Sequence, residues 1–341
     1  LWQKAKGIRL ATKDFWDRMT AGPGLPQNAG SASRAKAGRT LFGIATAMLM
    51  LFGWSALAAP PLPAHKPPQH NSLLDRPARD LFGAVKTPSA GPAKAIGTYA
   101  DGCLAGAVAL PITGPTWQVM RLSRNRNWGD PALVRYLKAL SVRAARATGW
   151  PGILVGDMAQ PRGGPAVSGH ASHQIGLDAD IWLEAMPLHT LSREERETIA
   201  ANNVVAANKR DVDRTVWTPA HAAFIKAAAN DPQVARIFVN AAIKKELCRT
   251  ATGDRSWLHR IRPWYLHNEH IHVRLLCPPG ETSCKGQPPI PPGEGCSPAD
   301  FSYWFSDKVL HPKPPPVPPK PRPPKPLRAL PAACQSVLTA R

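Results

Sequence analysis

The sequence predicts an α+β fold, a small antiparallel sheet with helices packed around it. Strand-like runs are short, few and set apart by longer segments that carry helix start and stop signals. Two of those runs alternate apolar and polar residues with period two. In Leu177–Leu183, residues Leu177, Ala179, Ile181 and Leu183 point one way while Asp178, Asp180 and Trp182 point the other. In His270–Leu276, Ile271, Val273 and Leu275 oppose His270, His272 and Arg274. Alternate residues share a face of a pleated strand, so each run offers one face to a core and another, rich in imidazoles or carboxylates, to a cleft.

The chain divides by composition. Residues 1–58 form an extension and export signal: Arg34, Lys36 and Arg39 precede the uncharged apolar run Leu41–Ala58, which ends Ala56-Leu57-Ala58. A basic start, an apolar centre and a small-x-small end predict cleavage after Ala58. Left uncleaved, a run of that length would be an anchor; with cleavage, no stable membrane insertion is expected. Residues 59–95 read as a proline-rich linker and arm, 96–311 as the folded domain and 312–341 as a proline-rich C-terminal strap.

Within the domain the elements follow in order. Asp130 caps a helix with Pro131 in its first turn, Leu133, Leu137, Leu140 and Ala144 as its buried stripe, and Gly149 as its stop. Ile153–Val155 is a short buried strand running into a Gly/Pro loop, Asp157–Pro165, ahead of the strand Leu177–Leu183. Ser192-Arg-Glu-Glu195 is a capping box, and Thr218-Pro219 opens a helix stopped by Asn230-Asp231-Pro232. A strand at Ile237–Val239, a helix at Ala241–Cys248 and the strand His270–Leu276 complete the set. Trp257 and Trp264 are expected in packing.

Without residues 1–58 the chain keeps 35 Lys and Arg against 21 Asp and Glu, a net charge of +14. Such a surface suits an anionic polymer. No zinc-finger spacing and no basic ribbon interleaved with aromatics is present, so nucleic acid is not the expected partner. The six cysteines contain no Cys-x-x-Cys pair, and in an oxidising compartment they predict three disulfides with the connectivity open.

Five of the 11 histidines fall in the windows His170–Trp182 and His267–Arg274. Zinc takes imidazole nitrogen and carboxylate oxygen, and a catalytic site keeps a position open for water. His173, Asp180 and His272 are the expected ligands. His270 shares the ligand's face two residues away and is the candidate general base. Either it or His267 would then stabilise the oxyanion and protonate the leaving amine. Asp178 is expected as a supporting or salt-bridge residue, with Arg162, Arg274 and Trp182 lining the cleft.

His-x6-Asp followed by His-x-His resembles the signature of the zinc peptidases that include lysostaphin-type enzymes and D-alanyl-D-alanine dipeptidases, and of the hedgehog fold. Longer runs, Gly156-Asp157-Met158, His170-Ala-Ser-His173-Gln-x-Gly-Leu-Asp-x-Asp180, Arg262-Pro-Trp-Tyr-x-His267 and His270-x-His272-Val-Arg-Leu, resemble one family in that group, the penicillin-insensitive murein endopeptidases. The resemblance covers roughly residue 80 to the C-terminus. It implies a hedgehog/D-Ala-D-Ala-peptidase-like fold and a periplasmic zinc endopeptidase cutting the D-alanyl–meso-diaminopimelate cross-link of peptidoglycan, untouched by β-lactams. It also implies metal binding by His173, Asp180 and His272, with His170 counted among the metal-binding residues, and His267 and His270 at the active site. Its cysteine pairing would join Cys103 to Cys334, Cys248 to Cys296 and Cys277 to Cys284. One run departs from the pattern: the family's Asp-x-x-His before Trp-x-Pro, implicated in further metal binding, is here Asn208-Lys-Arg-Asp211, which argues against a second metal. The alternatives are a D,D-carboxypeptidase of the same chemistry and a non-catalytic wall-binding protein.

Overall fold

The computed structural model describes residues 72–167, 170–316, 318, 320 and 322–340. The expected export signal and the first part of the linker therefore lie outside the described residues. Among the described residues eleven strands run in chain order: β1 Lys94–Thr98, β2 Asp101–Ala105, β3 Val108–Ala109, β4 Thr113–Gly114, β5 Trp117–Val119, β6 Trp128–Gly129, β7 Ile153–Val155, β8 Asp178–Ala185, β9 Val234–Val239, β10 Ile261–Pro263 and β11 His270–Leu275. Seven of them form one sheet in the order β10-β9-β11-β8-β7-β5-β4, and β1-β2 and β3-β6 are separate antiparallel ribbons.

The α+β class holds, and the main sheet is mixed. Its β5–β7 and β9–β10 pairs are parallel. Parallel neighbours need a long crossover, and helices supply both: Pro131–Thr148 joins β5 to β7, and Ala241–Thr250 joins β9 to β10. The helix signals act as read. Asp130 Oδ1 accepts from the Ala132 amide at 2.7 Å, Gly149 closes the same helix at φ 76°, and Ser192 and Glu195 form a reciprocal cap.

The central pair β8–β11 is antiparallel, with His272 opposite Asp180, His270 opposite Trp182 and Arg274 opposite Asp178. Ala179, Ile181, Leu183, Ile271 and Val273 on the far face are fully buried in the main core. Leu133, Leu137 and Leu140 of the helix Pro131–Thr148 join the same core, each contributing about 1.5–3 kcal/mol by burial. The period-two alternation thus separates core from cleft across both strands.

A second, smaller core lies at the other end. Helix Ala78–Ala84 buries Leu81 and Phe82 against Leu327, Leu330, Val337 and Leu338 of the C-terminal segment. The disulfides are Cys103–Cys334, Cys248–Cys296 and Cys277–Cys284, as the family resemblance implied. The first closes a separation of 231 residues and ties the last helix, Ala333–Thr339, to β2. Arg162, expected in the cleft, belongs here instead. Its guanidinium is buried and donates to the carbonyls of Val337 (2.9 Å), Leu338 (2.6 Å) and Thr87 (3.2 Å), satisfying acceptors at a helix end. Among the described residues no helix is long and apolar enough to cross a membrane.

Candidate metal centre

The polar face of β8 and β11 carries a cluster built around one carboxylate. Asp180 Oδ1 lies 3.5 Å from His173 Nε2, 3.3 Å from His272 Nδ1 and 3.8 Å from His270 Nε2, while Oδ2 lies 3.2 Å from His170 Nε2. His267 completes the group, its ring 4.9 Å from that of His270 and 5.9 Å from that of His272. The six residues expected as metal ligands or catalytic groups are thereby brought together. His170, His173 and Asp180 each offer an atom within 4.8 Å of the others, a geometry able to hold a metal ion. His272 reaches the same carboxylate from the neighbouring strand.

Local structure fixes these positions. His173 has φ 67° and His267 φ 51°, left-handed conformations uncommon for non-glycine residues. Gly176, at φ 72°, then turns the loop into β8, where a side chain would collide with Leu104 and the backbone of Asp130. Asp178, fully buried, holds the assembly from below. It accepts the His173 amide at 3.0 Å and both Nε and Nη2 of Arg274 at 2.7 and 3.1 Å, and it lies 3.1 Å from His272 Nε2. Arg274 therefore anchors Asp178 and does not line the cleft. Trp182 is likewise buried, against Met120, Leu154 and Arg121.

The electrostatics favour lone pairs. Burial alone would raise the Asp180 carboxyl, but His170, His173 and His270 hold it well below the usual range; Arg274 and His272 do the same for Asp178. Burial pushes His272 down to about 4, and burial with the neighbouring imidazoles lowers His267 and His270. Those three rings are neutral at physiological pH. His267 Nδ1 donates to the Tyr265 carbonyl at 2.6 Å, so its Nε2 keeps the lone pair. His170 is shifted the other way: burial would lower it, and Asp180 and Asp157 raise it.

Several of these atoms are buried without a hydrogen-bond partner: both ring nitrogens of His173, Asp180 Oδ1 and Nε2 of His270. Leaving such groups unsatisfied is costly. A cation bonded to nitrogen and oxygen at about 2.0–2.1 Å in tetrahedral geometry separates its donors by about 3.3 Å, close to the distances that surround Asp180 Oδ1. The donor set fits a metal.

Asp157 was read as part of a turn and of one run resembling the family, with no role at the site. It sits beyond β7 and accepts from Arg124 (2.8 Å) and Arg126 (3.0 Å), with His170 Nε2 at 3.2 Å. These neighbours, against the effect of burial, hold its carboxyl well below the usual range. An acid directly after a buried apolar strand was the available signal. Asp211 is ion-paired with Lys245 at 2.7 Å, and Asn208 Oδ1 accepts the amides of Arg210 and Asp211. Trp257 is buried as expected, but Trp264 lines a groove of about 380 Å³ with Tyr265, Leu266, Asn268 and Trp304. Leu266 and Asn268 flank His267, so the groove adjoins the centre.

Imidazoles and a carboxylate thus converge on one point at a cluster that opens to solvent, a donor set able to hold a metal ion. Residues 95–339 match the family model of the penicillin-insensitive murein endopeptidases. The chain is 49% identical over 227 residues to a penicillin-insensitive murein endopeptidase of Haemophilus influenzae, covering 66% of this chain and 76% of that one. It is 42% identical over 254 residues to one of Klebsiella pneumoniae (74% and 89%), and 44% identical over 239 residues to one of Yersinia enterocolitica (69% and 86%). The chain belongs to the penicillin-insensitive murein endopeptidase family.

Proposed function

We propose that this chain is a zinc-dependent endopeptidase that hydrolyses the D-alanyl–meso-diaminopimelate cross-link of peptidoglycan in the bacterial periplasm. The observation that carries the reading is the approach of His173 Nε2 and His272 Nδ1 to the single buried oxygen Asp180 Oδ1, in a chain of this family. His173, Asp180 and His272 would hold the ion, with His170 beside them. When bound, zinc supplies Lewis acidity that polarises the scissile carbonyl and lowers the pKa of water towards about 7.

The chain's own groups do the rest. His270, neutral and with Nε2 facing the cluster, accepts the proton of the attacking water. Its protonated ring then hands that proton to the leaving amine. His267, held by the Tyr265 carbonyl with its ring 4.9 Å from that of His270, stabilises the developing oxyanion when that same proton is relayed to its Nε2 on the way to the amine. Asp178 keeps the His272 ring turned so that Nδ1 faces Asp180. Three disulfides suit an oxidising compartment, and the basic body suits an anionic wall polymer.

Mass analysis of peptidoglycan digested with purified protein tests the reading. Cross-linked dimers should become monomers, and a chelator should stop the reaction until zinc is returned. Release of terminal D-alanine with dimers left intact would favour a carboxypeptidase, and no release of either kind would leave a wall-binding protein.

A further inference from the structure

Asp157 faces more positive charge than it can neutralise. Its Oδ2 alone takes hydrogen bonds from Arg124 Nη1 and Arg126 Nη1, and arginine stays charged at any working pH. The two guanidinium groups differ in setting. The Arg126 side chain is buried, whereas that of Arg124 is 47% exposed. Among the described residues Arg124 gives a single side-chain hydrogen bond, to Asp157, which leaves most of its donor fork turned to solvent.

That fork stands at the mouth of the centre. His173, Asp180 and His272 are closed off, while His170 and His270 keep 20% and 23% of their side chains exposed. Arg124 is two short contacts from His170, through Asp157 Oδ2. A permanent, half-exposed cation this close to the cluster attracts an anion of the substrate.

We propose that Arg124 forms a carboxylate-binding subsite for the diaminopimelate carboxylate next to the scissile amide. The inference deepens the murein reading above and rests on it. In the cross-link, the carbon that carries the scissile nitrogen also carries a carboxylate. A planar guanidinium matches that group in a two-point contact. A cross-link built on lysine lacks the carboxylate, and an amidated diaminopimelate presents a neutral amide. Arg124 thereby sets which cross-links are cut, because a site made for a polar group rejects the analogue without it.

The test compares two cross-linked muropeptide dimers, identical except that one has this carboxylate amidated. Zinc-loaded wild type should prefer the free acid by roughly 10- to 100-fold in kcat/KM, the range of a charge-assisted hydrogen bond. In Arg124→Gln the preference should fall to within about twofold, chiefly through loss on the free-acid dimer, with zinc content unchanged because Arg126 still holds Asp157. Equal cleavage of both dimers by wild type would overturn the subsite. So would a variant slowed equally on both, since that marks Arg124 as a support for Asp157. Cleavage of neither dimer by wild type would instead sink the murein reading, and the subsite with it.

Discussion

His272 stands directly across from Asp180 in the β8–β11 ladder, its Nδ1 3.3 Å from Oδ1. Directly paired residues on adjacent strands hold their Cβ atoms about 4.5–5.5 Å apart, so the sheet register itself builds half of the centre. A slip of one residue in either strand would turn that strand's partner of the pair into the core and part the two. The buried apolar face of the same strands guards against that slip.

Asp180→Ala removes the oxygen on which the imidazoles converge. Zinc content after dialysis should fall to a small fraction of wild type, and kcat/KM by roughly a thousandfold or more. Elemental analysis beside a dimer-cleavage assay reads both.

His270→Ala leaves the three expected ligands in place. Zinc should be retained while kcat falls about 10²- to 10⁴-fold, the usual loss on removing a general base. A variant that loses metal and activity together would make His270 a ligand.

Asp178→Asn strips the charge that pairs with buried Arg274. Breaking one side of a buried pair costs about 3–5 kcal/mol, and loss of support for His272 should weaken zinc binding about 10- to 100-fold. Denaturant melts and a competitive zinc titration measure the two effects. Adding Arg274→Met should recover much of the stability and little of the affinity.

The metal-free protein should melt at lower temperature as the pH falls from about 6.5 to about 4. His272 is lowered to about 4 in the fold and titrates near 6.5 when unfolded. In that window the unfolded chain binds the extra proton, and folding loses stability. His267 and His270, lowered too, add to the slope. Asp178 and Asp180 act with the same sign at lower pH: their folded pKa values are depressed, so their contribution is full above the unfolded value near 4 and is lost below it. Thermal melts across this range check the direction, and His272→Phe should flatten the upper part.

Much of this was legible before any coordinates, because its signals are local. The alternation in β8 and β11 placed His272, Asp180 and Asp178 on one face, and Asp130, Gly149 and Ser192 marked their helix ends through backbone chemistry. What escaped depended on distant partners. β4, β6 and β10 are two or three residues long and owe their strand character to pairing. Arg162, in a Gly/Pro loop, looked like a cleft residue because its acceptors at 337 and 338 are remote in sequence. Asp157 carried no periodic signal, and its tie to Arg124, Arg126 and His170 exists only in three dimensions.

X-ray absorption at the zinc edge of the loaded protein addresses the central claim most directly. The account predicts nitrogen and oxygen neighbours at about 2.0–2.1 Å, with the outer-shell pattern of at least two imidazoles, and loss of that pattern in His173→Ala/His272→Ala. Sulfur at about 2.3 Å, or an unchanged spectrum in the double variant, would contradict it.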